Sequence, residues 1–186
     1  ERAKASAAEL LGALLPFAER GIAIVGLEPS CLLSLRDELL VMGLGPAAAT
    51  VSAQALMFEE FVAREARAGR FAPALKPATQ AMRVHGHCHQ KAFAVVQPVL
   101  EVLALIPGAK PSLIESSCCG MAGSFGYEAE HHAVSMQMAE LALLPAVRAA
   151  PDALIVADGA SCRHQIADGS GRQALHAARV LADHLA

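Results

Sequence analysis

The sequence predicts an α/β protein with a mostly parallel sheet flanked by helices. Two patterns indicate this class: short apolar runs alternate with helical patterns of more than about ten residues, and most runs lead into a turn rich in glycine, serine or histidine. With 186 residues, of which 54% are hydrophobic and 18% charged, the chain is long enough to bury the core that such a sheet requires.

The first predicted strand lies between helices. Residues 3–19 carry apolar side chains at helical spacing, and Gly21 is suited to end that helix. The run GIAIVGL then has the unbroken apolar character of a buried parallel strand. The remaining helices of this half are expected over EPSCLLSLRDELLVMG, capped by Ser30 and closed by Gly43 and Gly45, and over residues 52–68.

Three further strands are predicted in the second half, after the proline-containing connector GRFAPALKPATQ. Each is followed by a helical pattern, as a parallel sheet with crossover helices requires. The strands are expected at MRVHGH, PSLIES and DALIVAD, and the helices from about Cys88 to Leu105, over about 127–149 with a kink at Pro145, and over 172–185.

Charge and hydropathy argue against two classes of function. The formal net charge is −3, and no stripe of lysine and arginine with interleaved aromatics is present, so nucleic acid is not an expected partner. Proline and glutamate interrupt the longest apolar stretches, so no transmembrane segment is expected. No signal peptide is recognisable, and the helical pattern at the first residues suggests an excerpt from a longer polypeptide.

Five cysteines follow predicted strands, which is the strongest chemical pattern in the sequence. Because the carboxyl ends of parallel strands meet at one edge, thiols from separate strand ends are expected to converge there. An odd number of cysteines, two of them adjacent, is more typical of metal binding or catalysis than of a secreted disulfide scaffold. The residues are Cys31, Cys88, Cys118, Cys119 and Cys162.

The adjacent pair Cys118–Cys119 can face one centre only if the chain turns there. Successive side chains of an extended backbone point to opposite sides, and Gly120 permits the turn. Cys88 and Cys162 lie near predicted helix starts, where the helix dipole lowers a thiol pKa and favours the thiolate that metals bind. A site of four sulfurs suits an iron–sulfur cluster or zinc.

Histidines and cations accompany the cysteines. His85, His87 and His89 alternate, and on a strand they would share a face; for such residues hydrogen bonding around a site is a more common role than direct ligation. Lys91 and Arg163 lie beside candidate ligands, where they would offset thiolate charge or form surface ion pairs.

An internal repeat relates the two ends of the chain. The segments IAIVGLEPSCLLSL and ALIVADGASCRHQI align with Cys31 on Cys162 and Ser30 on Ser161, a shift of 131 residues. Each is an apolar strand that leads into a turn containing Ser-Cys. A period this long does not fit a solenoid repeat and favours a duplicated domain, with only the end of the first copy in this chain.

The motifs HGHCHQKA, SCCGMAGSFGYE and DGASCRHQI resemble the cysteine-rich CCG domain. This domain occurs in a subunit of heterodisulfide reductase, in the iron–sulfur subunits of glycolate oxidase and anaerobic glycerol-3-phosphate dehydrogenase, and in lactate-utilisation proteins. The resemblance is most specific over residues 22–40 and 83–166. The amino-acid sequence of these segments looks most like the C-terminal region of fused FAD/iron–sulfur D-2-hydroxyacid dehydrogenases.

The resemblance implies a set of metal ligands. Cys88, Cys118, Cys119 and Cys162 would bind an iron–sulfur cluster of the [4Fe–4S] type or zinc, and Cys31 would be the last ligand of a preceding repeat or join the site where repeats meet. Some relatives end the last motif in C-x-x-C, whereas the three residues after Cys162 contain no cysteine, so a five-cysteine cluster is not implied. The candidates for completing or supporting this set are His87, His89, His164 and Gly120.

The same resemblance implies a domain layout and partners. Residues 1–72 would be the C-terminal part of a first CCG repeat plus a linker helix, and residues 73–186 a second CCG repeat. The parent enzyme would carry an N-terminal flavin domain with FAD and a ferredoxin-like domain, and would pass electrons from D-lactate, glycolate or D-2-hydroxyglutarate to an acceptor such as quinone. The expected location is cytoplasmic, with peripheral attachment to the inner membrane face as an option.

This segment is not expected to oxidise the substrate itself, because no Ser-His-Asp order, paired carboxylates or nucleotide fingerprint is present. Two other interpretations are open. A structural zinc-binding or metal-free domain would dock subunits, and it predicts stoichiometric zinc or no metal. A vicinal-thiol redox protein would use Cys118 and Cys119 directly, and it predicts a reactive thiol of low pKa without any metal.

Overall fold

The computed structural model describes residues 1–186 as alternating helices and short strands. None of the helices is both long enough and apolar enough to cross a membrane. The helices are α1 (Arg2–Ala18), α2 (Pro29–Leu32), α3 (Glu38–Val41), α4 (Pro46–Gln54), α5 (Phe58–Arg67), α6 (Cys88–Ala92), α7 (Gln97–Ala104), α8 (His132–Glu140), α9 (Leu143–Arg148), α10 (Ala160–Ser170) and α11 (Ala177–Asp183), with 3-10 turns at Leu33–Arg36 and Phe125–Tyr127. The strands are β1 (Ile24–Gly26), β2 (Ala55–Met57), β3 (Met82–His85), β4 (Pro111–Leu113), β5 (Leu154–Ala157) and β6 (Ala174–Leu175).

All strand pairs are parallel, which confirms the predicted α/β class. β1 and β2 form a two-stranded sheet, with Ile24 opposite Ala55. The other four strands form a sheet in the order β4-β3-β5-β6, in which Val84 lies opposite both Leu113 and Val156. The carboxyl ends of β3, β4 and β5 therefore lie side by side at one edge of the larger sheet.

Helices cover both faces of the larger sheet. On β5, Val156 packs against a core formed with α5, α7 and α11, while its neighbour Ile155 packs on the opposite face with α9 and α10. Successive side chains of a strand point to opposite faces, so a strand buried on both sides must be apolar at every position. Both residues are completely buried.

The smaller sheet has an apolar core of its own. Leu11 of α1, Val51 of α4 and Met57 of β2 belong to one buried cluster together with Leu33. β2 occupies one edge of β1, and no strand pairs with the other edge. Val25 of β1 is accordingly 42% exposed.

Three predictions for the first half are wrong in detail. The single helix expected over EPSCLLSLRDELLVMG is divided into α2, the 3-10 turn at Leu33–Arg36 and α3. The helix expected over 52–68 is interrupted by β2, because parallel pairing with β1 overrides the helix propensity of Ala55, Leu56 and Met57. Ser30 does not cap a helix. Pro29 is the first residue of α2, so Glu28 takes the capping position, and the Ser30 hydroxyl donates to the Glu28 carboxylate at 2.9 Å.

Two helices predicted in the second half are divided. The helix expected from Cys88 to Leu105 breaks at Ala94, whose φ of +55° is incompatible with a continuous helix. The helix expected over 127–149 breaks between α8 and α9, so Pro145 falls in the first turn of α9, where its missing N–H costs no hydrogen bond and causes no kink. The helix expected over 172–185 begins only after β6.

Candidate metal centre

Four cysteines line one cavity of about 370 Å³ at the carboxyl edge of the larger sheet. Cys88 begins α6 directly after β3, Cys118 and Cys119 lie in the loop after β4, and Cys162 is the third residue of α10 after β5. The side chains converge because these three strands are neighbours and run in the same direction.

The sulfurs differ in burial, and two of them are in contact. Cys119 and Cys162 are buried, and their Sγ atoms lie 3.3 Å apart. Cys118 is half-buried and Cys88 is exposed, and no disulfide is present. Two thiolates that share one tetrahedral metal ion at bond lengths of about 2.3 Å lie roughly 3.8 Å apart. The buried pair is therefore near the separation of two thiolates on one zinc ion, whereas the four cysteines of a [4Fe–4S] cluster each bind a different iron.

The thiols do not ionise independently. The pKa of Cys118 lies well below its usual range because its sulfur accepts hydrogen bonds from the thiols of Cys119 and Cys88, and the backbone N–H of Gly120 adds another at 3.3 Å. The pKa values of Cys119 and Cys88 are raised because these thiols bond to Cys118. The pKa of Cys162 is lowered to about 5 by its hydrogen bond with Cys119. The four thiols therefore share their protons, and a metal that binds them would displace these protons.

The prediction that the start of α6 lowers the pKa of Cys88 is wrong. Its pKa is raised, because the hydrogen bond to Cys118 and burial outweigh the dipole of a helix of only five residues. For Cys162 the expected direction is correct, but the main cause is the neighbouring thiol of Cys119.

Lys91 brings positive charge to the loop that carries the paired cysteines. Its Nζ donates to the carbonyl oxygens of Ser116 and Ser117, at 2.5 and 2.6 Å, directly before Cys118. Burial lowers the pKa of Lys91. Arg163 instead donates to two carbonyl oxygens at the end of β5 and bonds to no thiol. Lys91 is therefore the cation that fixes the position of the paired cysteines.

Two glycines allow close packing around the sulfurs. Gly120 has a φ of +97°, and a Cβ there would lie 2.1 Å from the carbonyl oxygen of Ser135. At Gly159 a Cβ would lie 2.4 Å from His87 Cδ2 and 3.2 Å from the Sγ of Cys162. Only glycine fits at either position without moving a neighbour.

The three alternating histidines do not share a strand face as expected. His85 ends β3, His87 occupies the capping position before α6, and His89 lies inside that helix. His87 and His89 both line the cavity. Nδ1 of His87 accepts a hydrogen bond from the backbone N–H of His89 at 3.2 Å, and burial lowers the pKa of His87. The ring of His87 is therefore neutral at physiological pH.

His85 lies close to the sulfurs, although the sequence pattern does not set it apart from the other two histidines. Its Nδ1 lies 2.9 Å from the hydroxyl of Ser116, and its buried Nε2 has no hydrogen-bond partner. The ring contributes a nitrogen within 4.8 Å of the sulfurs of Cys119 and Cys162. The HGHCH motif includes His85, but the motif alone does not show that its ring lies at the site. That position follows from the end of β3 at His85.

Two sequence candidates lie outside the cavity lining. His164 has its Nδ1 2.5 Å from the Tyr127 hydroxyl. Cys31 is exposed on α2 and does not line the cavity, whereas its neighbour Ser30 does. Ser161, the residue that aligns with Ser30 in the internal repeat, lines the same cavity. The alignment of Ser30 with Ser161 is therefore the sequence feature that could have identified Ser30 as a cavity residue.

The first segment of the chain contacts this site directly. Glu28 precedes α2, and its carboxylate accepts a hydrogen bond at 2.9 Å from the backbone N–H of Ala160, the first residue of α10. The turn after β1 therefore faces the turn after β5, the two places that the internal repeat relates.

Comparison with known proteins relates the chain to dehydrogenases. No family model matches it. It is 27% identical over 172 residues to one subunit of the anaerobic glycerol-3-phosphate dehydrogenase of Escherichia coli strain K12, covering 90% of this chain and 41% of that subunit. It is 28% identical over 166 residues to D-2-hydroxyglutarate dehydrogenase of the same strain, and 28% identical over 165 residues to that of Pantoea ananatis, in each case covering 88% of this chain and 16% of the relative.

The chain thus spans less than half of each of these relatives. The similarity extends over nearly the whole chain, including all the strand ends that carry cysteines. The relatives are dehydrogenases or dehydrogenase subunits, and this chain matches one part of each.

Proposed function

We propose that this chain is the iron–sulfur electron-transfer module, of the CCG type, of a flavin-linked D-2-hydroxyacid dehydrogenase. The observation that carries the proposal is the cavity lined by Cys88, Cys118, Cys119 and Cys162. The relatives named above support the oxidoreductase context, and one of them is a D-2-hydroxyglutarate dehydrogenase. Substrates of the lactate, glycolate or 2-hydroxyglutarate type follow from the same resemblance.

The donor set of the cavity fits an iron–sulfur cluster or zinc. Both are bound by thiolates, and binding of either displaces the protons that the cysteine thiols hold. The sulfurs of Cys119 and Cys162 and a ring nitrogen of His85 lie within 4.8 Å of one another, so this part of the cavity brings three donor atoms together. We assign Cys88, Cys118, Cys119 and Cys162 as the ligands.

The other residues of the site hold these ligands and adjust their charge. When bound, an iron–sulfur cluster accepts and passes on single electrons. The N–H of Gly120 donates to the Cys118 sulfur, and Lys91 orders the carbonyl groups that precede it. Hydrogen bonds and nearby positive charge raise the potential of such a centre. His87 and His89 border the cavity and limit the access of water.

The internal repeat supports a second part of the proposal, that residues 1–72 belong to a preceding repeat and 73–186 form a complete one. Cys31 and Cys162 are each the third residue of a helix that follows a parallel strand. β5 has neighbours on both edges, whereas the equivalent β1 has β2 on one edge only. We infer that the open edge of β1 pairs with a strand of the preceding repeat, and that Cys31 serves the site of that repeat.

The full-length protein, purified without oxygen and studied by electron paramagnetic resonance (EPR), tests this function. We expect an iron–sulfur signal that appears or disappears when the hydroxyacid reduces the enzyme. Cys119→Ser should abolish the signal of this centre and slow reduction of the acceptor, while Cys31→Ser should leave this centre in place. A Cys119→Ser enzyme that keeps full activity, or a wild-type protein with one zinc ion at the cysteines, would contradict the proposal and favour a structural zinc domain.

A further inference from the structure

A second cluster of ionisable side chains is buried outside the cysteine cavity. It consists of Glu59 in the first turn of α5, Asp158 directly after β5 and His176 directly before α11. Each offers one ligand atom, and the three atoms lie within 4.8 Å of one another. Each residue closely follows the carboxyl end of a strand, so strands from both sheets contribute to this cluster.

Glu59 is the member of the cluster that lacks a partner. It is completely buried, and neither carboxylate oxygen accepts a hydrogen bond from another residue. The only basic side chain within ion-pair distance of Glu59 is His176, and no lysine or arginine pairs with Glu59 or Asp158. Burial, followed by the nearby charge of Asp158, raises the pKa of Glu59 well above its usual range. A buried carboxylate without a donor is costly unless a cation or a proton neutralises it.

His176 has the orientation of a metal ligand. Its Nε2 donates to the carbonyl oxygen of Leu27 at 2.8 Å, so the lone pair is on Nδ1. Metal-binding histidines commonly donate their second ring N–H to a carbonyl or carboxylate in this way. The lone pair also accepts from the backbone N–H of Ala178 at 3.0 Å, so an ion would compete with one helix-capping hydrogen bond.

The distances from His176 to the two carboxylates match those between ligands of one metal ion. Nδ1 of His176 lies 3.6 Å from Oδ1 of Asp158 and 3.8 Å from Oε1 of Glu59. Two ligands with bonds of about 2.1 Å, separated by angles of roughly 110–130°, lie about 3.4–3.8 Å apart. The other oxygen of Asp158 accepts from Gln90 Nε2 at 2.7 Å, and Oδ1 accepts from the backbone N–H of Ala177 at 3.0 Å, so the carboxylate is held in place.

We propose that Glu59, Asp158 and His176 bind a divalent metal ion of the Mn²⁺ or Zn²⁺ class. Two carboxylates and a neutral imidazole are ligands that both ions accept, and a charge of +2 balances the two carboxylates. His176 also lines a cavity of about 390 Å³, together with Leu27, Glu28, Ala178 and the two arginines Arg163 and Arg179.

The ion holds the smaller sheet against the larger one. Glu59 and Leu27 follow strands of the smaller sheet, while Asp158 and His176 follow strands of the larger sheet. Gln90 links this site to the cysteine cavity, because it donates to Asp158 and its Oε1 accepts from the backbone N–H of His87 at 3.0 Å. The metal is therefore a structural ion that supports the cysteine site and does not depend on what that site binds.

Titration with Mn²⁺, followed by EPR, tests this site, because Mn²⁺ prefers oxygen and nitrogen ligands and the thiolates do not compete for it. The protein is used with its cysteine site loaded, after brief treatment with a chelator. We expect one Mn²⁺ per chain. Glu59→Gln, which keeps the size of the side chain, should weaken binding more than about tenfold, as loss of a ligand does.

The exposed cluster Glu128, Glu130 and His131 provides the matched control, since it also brings three ligand atoms together. Glu128→Gln should leave the Mn²⁺ titration unchanged. In addition, the melting temperature of the wild type should rise with Mn²⁺ concentration, and that of Glu59→Gln should not. Absence of stoichiometric Mn²⁺ binding by the wild type, or equal binding by Glu59→Gln, would overturn the proposal and leave Glu59 as a protonated carboxylic acid.

Discussion

Replacing Gly120 by alanine tests how tightly the turn behind the paired cysteines is packed. The new Cβ would lie 2.1 Å from the carbonyl oxygen of Ser135, and real Cβ atoms do not approach closer than 3.0 Å. The φ of +97° adds a conformational cost of about 1–3 kcal/mol for any residue with a Cβ. Because Ser135 belongs to α8, relief of the overlap moves helix backbone, and overpacking of this kind costs about 1–3 kcal/mol more.

The free energy of unfolding should therefore fall by roughly 2–6 kcal/mol in Gly120→Ala. In urea, with a slope of about 2 kcal/mol per M, this corresponds to a midpoint lower by roughly 1–3 M. The variant should also bind less metal at the cysteines, because Gly120 donates its N–H to the Cys118 sulfur.

Gly123→Ala is the matched control for this experiment. Gly123 lies in the same loop with a φ of +69°, but a Cβ there meets no atom within 4 Å. Only the conformational cost of about 1–2 kcal/mol applies. Equal loss of stability in the two variants would refute the claim that contact between Gly120 and α8 shapes the cysteine loop.

Three further substitutions test other parts of the structure. Arg172→Met should lower the free energy of unfolding by about 2–4 kcal/mol in denaturant titration, because the Arg172 guanidinium donates to three carbonyl groups around the start of β5. The control Arg148→Met removes an exposed ion pair and should cost at most about 1 kcal/mol. A larger loss of stability in Arg148→Met than in Arg172→Met would contradict this account. Gln90→Leu removes two buried hydrogen bonds, so the free energy of unfolding should fall by about 2–3 kcal/mol. The cysteine site should also lose its metal to a chelator faster than in the wild type. An unchanged rate of metal loss would show that Gln90 does not support the cysteine site. Lys91→Met removes a positive charge beside the cysteine loop and should lower the reduction potential of the bound centre by on the order of tens of mV in a redox titration. Lys91→Arg keeps the charge and should keep the potential. Equal potentials in the wild type and both variants would exclude an electrostatic role of Lys91.

The central strands of the larger sheet can be predicted from the sequence. β5 is apolar at every position, and β3, although it contains Arg83 and His85, is followed by a turn and a helical pattern. β3 and β5 each fall within a predicted run, whereas the strand order β4-β3-β5-β6 is seen only in the structure. β2 and β6 cannot be found in this way. They contain two or three residues of the type Ala, Leu and Met, which favour helices, and they become strands only by pairing with β1 and β5.

The cysteine site can be predicted from the sequence for a similar reason. A residue that directly follows a parallel strand must lie at the carboxyl edge of the sheet, and the chemistry of thiols then suggests a metal. The cluster of Glu59, Asp158 and His176 has no such signal. Its members come from three distant segments, and nothing in the local sequence of Glu59 indicates that its side chain is completely buried.

Iron and acid-labile sulfide analysis of the full-length protein, purified without oxygen, tests the central claim most directly. A [4Fe–4S] centre at the cysteines predicts about four iron and four sulfide ions per chain for this site. Cys162→Ser should lose this amount. Wild-type protein with no iron, or iron content that is unchanged in Cys162→Ser, would contradict the assignment of an iron–sulfur centre to these four cysteines.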